Sequence, residues 1–556
     1  MDIPAQENFV EVNAHGLRWH VASDFAEALN AVDLDRVCHP DRLREGELVK
    51  DNTARTVARL PHPLKPEGPA LYVKRYKLKG FVRGIKHLVL PTQAAQEHRV
   101  SQALISHGIP TCRTLAVAER RRWLLPSEAF LISREIPGVV TFRQWAAGGG
   151  WRAADKALKM ELIEELGGLV VRMVRSGACH GDFHVGNILM APNAPAGRRF
   201  FVVDLHRVRL GTATRHGLVR MFRFLAASSK KYGVSSAERV RFMRLVLEEL
   251  KKPEELTQDE LRWWTARVRS SWRKQHRRYM NSHTRHCVQE CKEFARDSIP
   301  GFKVWRRRDF PLEAALAAVR CHQETMEGRG RGEVRKRGNR AQIALCPARP
   351  GETVCVKAFL RRRLGARIKD LLRPTSRAKA AWIAHRGMNV RSVPAALGLA
   401  LLESTNKLAG QPDYLVVEAL PFEGRLDQVA PQLPQGGSDR RELARQVAGL
   451  FRLLADNQVR HPDTKATNIL VGRDAAGFRL WFTDLDRVQF NKPWPRHRWV
   501  RHLAHCNARV PTAVTLLDRM RCLREIARGL WTDKERLQVA RDILAETPQH
   551  DPVWLW

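Results

Sequence analysis

Long apolar runs are absent from this sequence of 556 residues. One of the longest, VPAALGLALL from Val393 to Leu402, is far shorter than the roughly 20 residues that a membrane-spanning helix needs. The first ten residues, MDIPAQENFV, lack the basic and then apolar order of a secretory signal. We therefore expect a cytoplasmic protein whose contact with any membrane is peripheral.

A disulfide framework is also missing. The ten cysteines lie at irregular spacings in a long chain, unlike the dense pattern of small secreted domains. We expect a reducing compartment and free thiols.

Acidic residues are few relative to basic ones. Lysine and arginine total 96 against 58 aspartates and glutamates, so the formal net charge is +38. Such an excess predicts a polyanionic partner, because lysine and arginine neutralise dense negative charge. Nucleic acid, an anionic lipid surface and a phosphorylated glycolipid all present such charge.

One polar motif is present twice. The segment CHGDFHVGNIL begins at Cys179, and RHPDTKATNIL begins at Arg460. In each copy an aspartate precedes an asparagine by five residues, and a strand ending in a second aspartate follows. The copies are offset by 280 or 281 residues, and the upstream segments ALYVKRY and TVCVKAF align with an offset of 283. The sequence therefore predicts a duplicated domain.

The order of elements within each half predicts the fold class. Segments with alternating apolar residues come first in each half, and segments with helical periodicity come last. We therefore expect an α+β protein of two tandem domains, each with a small β-rich N-lobe and a larger helical C-lobe. We place the first domain at 1–300, with a basic helical part at about 235–300, a linker region at 301–330, and the second domain at 331–556.

The repeated motif suits phosphoryl transfer. Aspartate and asparagine oxygens are hard ligands that bind Mg²⁺ together with substrate phosphates. A strand lysine can contact the nucleotide phosphates, and a further aspartate can orient the acceptor hydroxyl. The pattern therefore predicts a kinase that uses ATP and Mg²⁺.

At these residues the chain resembles the protein-kinase-like superfamily, and most closely the bacterial lipopolysaccharide kinases that phosphorylate heptose or Kdo sugars of the inner core. The resemblance is carried by YVKRY and by HGDFHVGNIL followed by VVDLHRVRL in the first half. In the second half it is carried by CVKAF and by HPDTKATNIL followed by FTDLDRVQF. It covers approximately Leu71 to Leu225 and Thr353 to His505.

The resemblance implies a role for each motif residue. The strand lysines Lys74 and Lys357 contact the nucleotide phosphates, and Glu97 pairs with Lys74. The catalytic aspartates Asp182 and Asp463 orient the acceptor hydroxyl or accept its proton. Lys465 lies near the transferred phosphate in the second half. The implied metal ligands are Asn187, Asp204, Asn468 and Asp484.

Two departures from the family pattern stand out. Neither VKDNTARTVARL nor RKRGNRAQIALC, which precede the two lysines, contains a G-x-G-x-x-G motif, so we expect another loop to cover the phosphates. Aligning ISHG with AHRG places Ser376 opposite Glu97. The second half then lacks a helix glutamate, so either another group holds Lys357 or the second half is less active.

Three functional classes follow. The leading one is a kinase that requires ATP and Mg²⁺ and acts on a sugar hydroxyl of lipopolysaccharide or a related anionic glycolipid, at the inner face of the cytoplasmic membrane. A protein kinase is second: Lys465 fits it, but neither half has an A-P-E sequence after its metal aspartate. The third is a regulatory pseudokinase or binding module in which one or both halves are inactive. Nucleic acid is the less favoured partner, and the sequence does not indicate an oligomeric state.

Overall fold

The computed structural model describes residues 8–44, 46–78, 87, 90–122, 125–211, 213–251, 256–361, 375–406, 408–475 and 477–553. The chain divides into two compact units, Met1–Gln275 and His276–Trp556. A helix at Gln258–Arg285 runs through the residue at which one unit ends and the next begins.

A seven-stranded sheet forms the small lobe of the first unit. Its strands are β1 Phe9–Ala14, β2 Leu17–Ala22, β3 Leu48–Asp51, β4 Arg55–Leu60, β5 Leu71–Lys77, β6 Thr114–Arg122 and β7 Leu125–Arg134. They are ordered β1-β2-β6-β7-β5-β4-β3, and every pair of neighbours is antiparallel. The strand that carries Lys74 therefore lies inside the sheet, between β7 and β4.

Helices cover both faces of this sheet. The short helices α1 Ala26–Leu29 and α2 Leu34–Cys38 pack on one face, where Trp19 and Phe130 are buried. The helix α3 Gln93–Ser106 packs on the other face. The alternation of a strand points Lys74 and Tyr76 to the same face of β5. That face is the one covered by α3, since Tyr76 is buried against Ala94 of this helix.

The larger lobe of the first unit is mainly helical. Its helices are α4 Phe142–Ala147, α5 Gly150–Ala153, α6 Lys156–Arg175, α7 Arg215–Ser229, α8 Ser236–Leu250 and α9 Gln258–Arg285. Short strands flank the polar motif: β8 Val140–Thr141, β9 Cys179–His180, β10 Ile188–Met190, β11 Phe200–Val202 and β12 Val208–Arg209. The pairs β9–β12 and β10–β11 bring the loop after Cys179 next to the loop after Phe200.

The second unit repeats this plan. Its sheet has the order β13-β14-β18-β19-β17-β16-β15, which matches the first sheet strand for strand. The strands are β13 Phe294–Ile299, β14 Phe302–Arg307, β15 Glu333–Arg337, β16 Ala341–Arg349, β17 Glu352–Phe359, β18 Gly398–Ser404 and β19 Asp413–Glu418. The helix α10 Leu312–Met326 covers one face of the sheet, and α11 Arg377–Val390 covers the other.

The larger lobe of the second unit is also helical. Its helices are α12 Leu426–Gln432, α13 Ser438–Asp456, α14 Arg496–Ala508, α15 Leu516–Ala527 and α16 Asp533–Glu546. The strands β20 Gly424–Arg425, β21 Ile469–Asp474 and β22 Gly477–Phe482 form a small sheet beside the second polar motif. The expected fold, two domains with a β-rich N-lobe and a helical C-lobe, is confirmed.

The region 301–330, which the sequence predicts to be a linker, is structured differently. Gly301 has a φ of +82° and makes the tight turn between β13 and β14, and β14 pairs with β18. The helix α10 then buries Ala315 and Ala318 against the sheet. Residues 301–330 are therefore part of the second unit. Pro300 and Gly301, which suggest a break in the sequence, form the turn of the β13–β14 hairpin. The basic region at about 235–300 contains α8, α9 and the strand β13.

Two expectations about what the chain lacks can be compared with the structure. All ten cysteines are free thiols. In the described part of the chain, no helix combines the length and the apolar character required to cross a bilayer.

Candidate active site

The strand lysine of the first unit is paired with a helix carboxylate. Lys74 Nζ lies 2.5 Å from Glu97 Oε1, and the Tyr76 hydroxyl donates to Glu97 Oε2 at 2.5 Å. Glu97 is only 4% exposed, so these two donors replace the water molecules that its carboxylate would otherwise bind. Burial alone would lower the pKa of the Lys74 ammonium, but the Glu97 and Asp204 carboxylates outweigh that effect and raise it. Lys74 is therefore a cation that Glu97 holds in place. We call the region around Lys74, Asp182, Asn187 and Asp204 the first cleft.

The second aspartate of the motif is held by two basic side chains. Arg55 donates from Nη1 to Asp204 Oδ1 at 2.8 Å and from Nη2 to Oδ2 at 3.2 Å. His206 Nδ1 lies 2.8 Å from Asp204 Oδ1. Burial would raise the pKa of the Asp204 carboxyl, but His206 and Arg55 hold it well below its usual range. Asp204 also has a left-handed backbone, with φ of +64°, a conformation that is uncommon for non-glycine residues.

The loop that carries Asp182 is tied to the loop that carries Asp204. His180 Nδ1 accepts a hydrogen bond from the Asp182 backbone N–H at 3.1 Å, and its Nε2 donates to the Val203 carbonyl at 3.1 Å. The Val203 N–H in turn donates to the Asn187 carbonyl at 3.0 Å. Arg207 Nη1 donates to Asp182 Oδ2 at 3.1 Å. The two acidic side chains therefore belong to one cleft.

The oxygen atoms of this cleft fit a divalent cation. Asn187 uses its Nδ2 to donate to the Asp182 carbonyl at 3.0 Å, which leaves the amide oxygen as its possible metal ligand. The Asp204 carboxylate supplies a charged oxygen. Asp204, Glu97 and His206 each place one potential ligand atom within 4.8 Å of the others. Hard oxygen donors of this kind suit Mg²⁺, whereas Glu97 is already occupied by Lys74 and Tyr76.

The strand lysine of the second unit makes a different pair. Lys357 Nζ donates to Asp484 Oδ1 at 2.7 Å. Burial would raise the pKa of the Asp484 carboxyl, but the charge and hydrogen bond of Lys357 lower it. Asp484 shares the left-handed backbone of Asp204, with φ of +56°. Its side chain is 43% exposed, against 21% for Asp204.

The residue opposite Glu97 in the second unit is Ala381, not Ser376. Thr92 and Ser376 are the N-caps of α3 and α11, and each helix has 14 residues, so the fifth residue of α11 takes the place of Glu97. The alignment of ISHG with AHRG is wrong because Gly387 lies inside α11, whereas Gly108 follows the end of α3. Ser376 instead caps its helix and donates to Glu403 Oε1 at 2.9 Å. The expected lack of a helix glutamate is therefore seen, at another residue.

Asp463, the counterpart of Asp182 in the second unit, has three polar side chains beside its carboxylate. Lys465 Nζ lies 3.0 Å from Asp463 Oδ1, and His505 Nε2 lies 3.4 Å from the same oxygen. Asn468 Nδ2 donates to the Asp463 carbonyl at 3.0 Å and to its Oδ2 at 2.8 Å. Burial lowers the pKa of His505 to about 4, so this imidazole is neutral at neutral pH.

Three residues of the first cleft were not predicted from sequence: Arg55, Tyr76 and His206. Arg55 lies in the segment VKDNTARTVARL, which lacks the glycine motif. No local sequence signal identifies Arg55: it reaches the cleft because the pairing of β4 with β5 places it opposite Tyr76. His206 could have been found from its position two residues after Asp204.

Comparison with known proteins decides the family. The family model described as "Lipopolysaccharide kinase (Kdo/WaaP) family" matches residues 44–245 and 328–507, more than half of the chain. The chain belongs to this family. Each match contains the strand lysine and the polar motif of one unit, so the family match agrees with the tandem duplication, and the chain is a kinase.

A bacterial relative and a solved structure are among the proteins that are similar to this kinase. The relative is "Lipopolysaccharide core heptose(I) kinase WaaP" of Pseudomonas aeruginosa, 25% identical over 186 residues, which are 32% of this chain and 69% of the relative. The solved structure, "WaaP in complex with acyl carrier protein", is 21% identical and has a TM-score of 0.35. It covers 46% of this chain and 98% of its own.

Proposed function

We propose that this chain is an ATP-dependent phosphotransferase that phosphorylates a sugar hydroxyl, of heptose or Kdo, in the lipopolysaccharide core or a related anionic glycolipid. The observation that carries the proposal is the first cleft, where the Lys74–Glu97 pair accompanies Asp182, Asn187 and Asp204. The family match and the heptose kinase relative support the sugar acceptor.

In this proposal the residues of the first cleft have distinct roles. Lys74 binds nucleotide phosphates and is oriented by Glu97. Asn187 and Asp204 hold Mg²⁺, which neutralises phosphate charge during transfer. Asp182 orients the acceptor hydroxyl, and the hydrogen bond from its backbone to His180 fixes the loop. Lys357, Asp463, Asn468 and Asp484 take the corresponding roles in the second unit, with Lys465 near the transferred phosphate.

We place the protein at an anionic membrane surface on the cytoplasmic side. The support is charge: α9 has no acidic residue after Glu260, and its exposed residues include Arg269, Arg273, Lys274 and Arg277. Such a helix is attracted to anionic headgroups and to phosphorylated glycolipid. Trp263 is 44% exposed on the same helix, and tryptophan is suited to the boundary between headgroups and acyl chains.

A regulatory role for the second unit is the alternative that a specific observation favours. Ala381 leaves Lys357 without a helix carboxylate, and Lys357 binds Asp484 instead. Lys357 must leave Asp484 before it can bind phosphates, and no helix carboxylate then orients it as Glu97 orients Lys74. We therefore propose that the first unit transfers phosphate faster than the second.

The test is transfer of labelled phosphate from ATP to lipopolysaccharide core glycolipid by the full chain. We expect Asp182→Asn to remove most of the label and Asp463→Asn to leave most of it. Asp155→Asn is the matched control, since Asp155 is an exposed N-cap and asparagine caps helices equally well. Loss of label only with Asp463→Asn would contradict the assignment of the faster unit. Absence of label in the unaltered chain would contradict the proposed acceptor.

A further inference from the structure

The hairpin β3–β4 lies over the first cleft, at the edge of the sheet next to the Lys74 strand. Glycine-rich loops at this place in kinases bind phosphates with free backbone N–H groups. The turn here, Asn52–Ala54, contains no glycine. The question is therefore which group of this hairpin can meet a phosphate.

The backbone N–H groups at the end of the turn are already used. Asn52 Oδ1 accepts hydrogen bonds from the N–H of Ala54 at 2.9 Å and from the N–H of Arg55 at 2.8 Å. Lys77 Nζ donates to Asp51 Oδ1 at 2.6 Å and to the Asn52 carbonyl at 3.2 Å. Because Asn52 Oδ1 already accepts from the N–H groups of Ala54 and Arg55, these two groups are not free to donate to a phosphate.

The side chain of Arg55 extends from this hairpin into the cleft. Arg55 pairs in register with Tyr76, whose hydroxyl binds Glu97, and its guanidinium lies on both oxygens of Asp204. Because Arg55 engages both oxygens of Asp204, a metal that binds this carboxylate competes with the guanidinium for it. A released guanidinium remains charged and keeps the planar fork that matches phosphate oxygens.

The second unit provides an internal comparison. Arg55 pairs with Tyr76, and the corresponding pair in the second sheet is Ala341 with Phe359. The second hairpin thus carries no arginine at this register position. In that unit Lys357, and not a hairpin arginine, lies on the metal-loop aspartate Asp484.

We propose that Arg55 is a nucleotide-phosphate ligand of the first unit, held on Asp204 in the empty cleft and exchanged onto the ATP phosphates when Asp204 is taken by the metal. The inference rests on the proposed function, because it requires nucleotide in this cleft. Arg55 would thereby replace the backbone donors that a glycine-rich loop supplies.

The test is nucleotide binding by the full chain, measured by titration calorimetry with Mg²⁺ATP and separately with adenosine. Variants are prepared in a Lys357→Ala background, so that binding by the first unit dominates. We expect Arg55→Ala to weaken Mg²⁺ATP binding by about 10-fold or more, as loss of a charge-assisted hydrogen-bond pair implies. Arg55→Lys should be intermediate, because lysine keeps the charge without the fork.

The adenosine measurement separates a phosphate ligand from a structural residue. Adenosine affinity should change less than about 2-fold in Arg55→Ala, because adenosine has no phosphate to lose a contact with Arg55. The matched control is Arg18→Gln, which removes an exposed strand arginine that pairs with Glu11 in the same sheet. Equal weakening of adenosine and ATP, or ATP affinity equal to that of Arg18→Gln, would overturn the role of Arg55. Failure of the Lys357→Ala parent to bind ATP would overturn the proposed function of the first unit as well.

Discussion

The two units share a strand order and the polar motif, yet the charged side chains around that motif are paired differently. In the first unit, Lys74 binds a helix glutamate and Arg55 binds Asp204. In the second unit, Lys357 binds Asp484 directly. Two replacements account for the difference: Ala381 stands where the first unit has Glu97, and Ala341 where it has Arg55. The same backbone fold is therefore compatible with two arrangements of charged side chains. Which arrangement forms depends on whether the helix supplies a carboxylate to the strand lysine.

The largest expected effect comes from making the first unit resemble the second at the helix. Glu97→Ala leaves Lys74 and the Tyr76 hydroxyl without their carboxylate, so we expect a loss of about 3 kcal/mol in the free energy of unfolding. Phosphate transfer should fall with it as Lys74 turns to Asp204. Urea unfolding and transfer assays measure the two effects.

The conservative variant Glu97→Gln sharpens this result. It keeps an acceptor for Tyr76 and Lys74 but removes the charge. It should therefore recover part of the stability and little of the activity. Full activity in Glu97→Ala would contradict the role of the Lys74–Glu97 pair.

A second prediction concerns pH. Burial lowers the pKa of His180 to about 4, whereas an unfolded histidine has a pKa of about 6.5. The folded state therefore keeps His180 neutral, and its stability is complete above pH 6.5 and falls as pH decreases from 6.5 towards 4. The loss for this one residue is on the order of 3 kcal/mol.

His461 occupies the same place in the second unit, and burial lowers its pKa as well. Urea midpoints at several pH values should show a shallower acid slope in His180→Asn and in His461→Asn. The exposed His216→Asn variant should keep the full slope. An unchanged slope in both buried variants would show that other groups cause the acid sensitivity.

The smallest expected effect tests the backbone at the ends of α3 and α11. Gly108 has φ of +64° and Ser392 has φ of +54°, so the second unit places a serine where the first has glycine. Ser392→Gly should raise the free energy of unfolding by about 1 kcal/mol, and Gly108→Ser should lower it similarly. A side chain at Gly108 would meet open space, so only the backbone contributes. Thermal melts of both variants measure the effect, and shifts of the same sign would contradict it.

Much of the fold could be predicted from sequence because its signals are local. The alternation in YVKRY and CVKAF predicts strands, and the constant offset between the polar motifs predicts the duplication. The pairing of Glu97 with Lys74 is implied by the resemblance to the kinase family, and the structure shows this contact. The catalytic and metal-binding roles of these residues stay predictions.

The remaining features depend on long-range register, which a single sequence does not reveal. Arg55 meets Asp204 across 149 residues of chain because β4 pairs with β5 in one register. Gly387 misled the helix alignment because a glycine inside a helix looks like a helix end. The region 301–330, which contains β14 and α10, resembles a linker in sequence because its turn glycine Gly301 and its surface charges are typical of linkers and hairpins alike.

The stability of the long helix α9 should depend on ionic strength. Arg269, Arg273 and Arg277 follow one another at intervals of four residues, so each faces a like charge one turn away. At low salt this repulsion destabilises the helix, and dissolved ions screen it over about 8 Å at physiological strength. Salt that weakens the attraction of this surface for an anionic partner therefore also steadies the helix itself. Anions gathered close to the helix would steady it at any salt concentration.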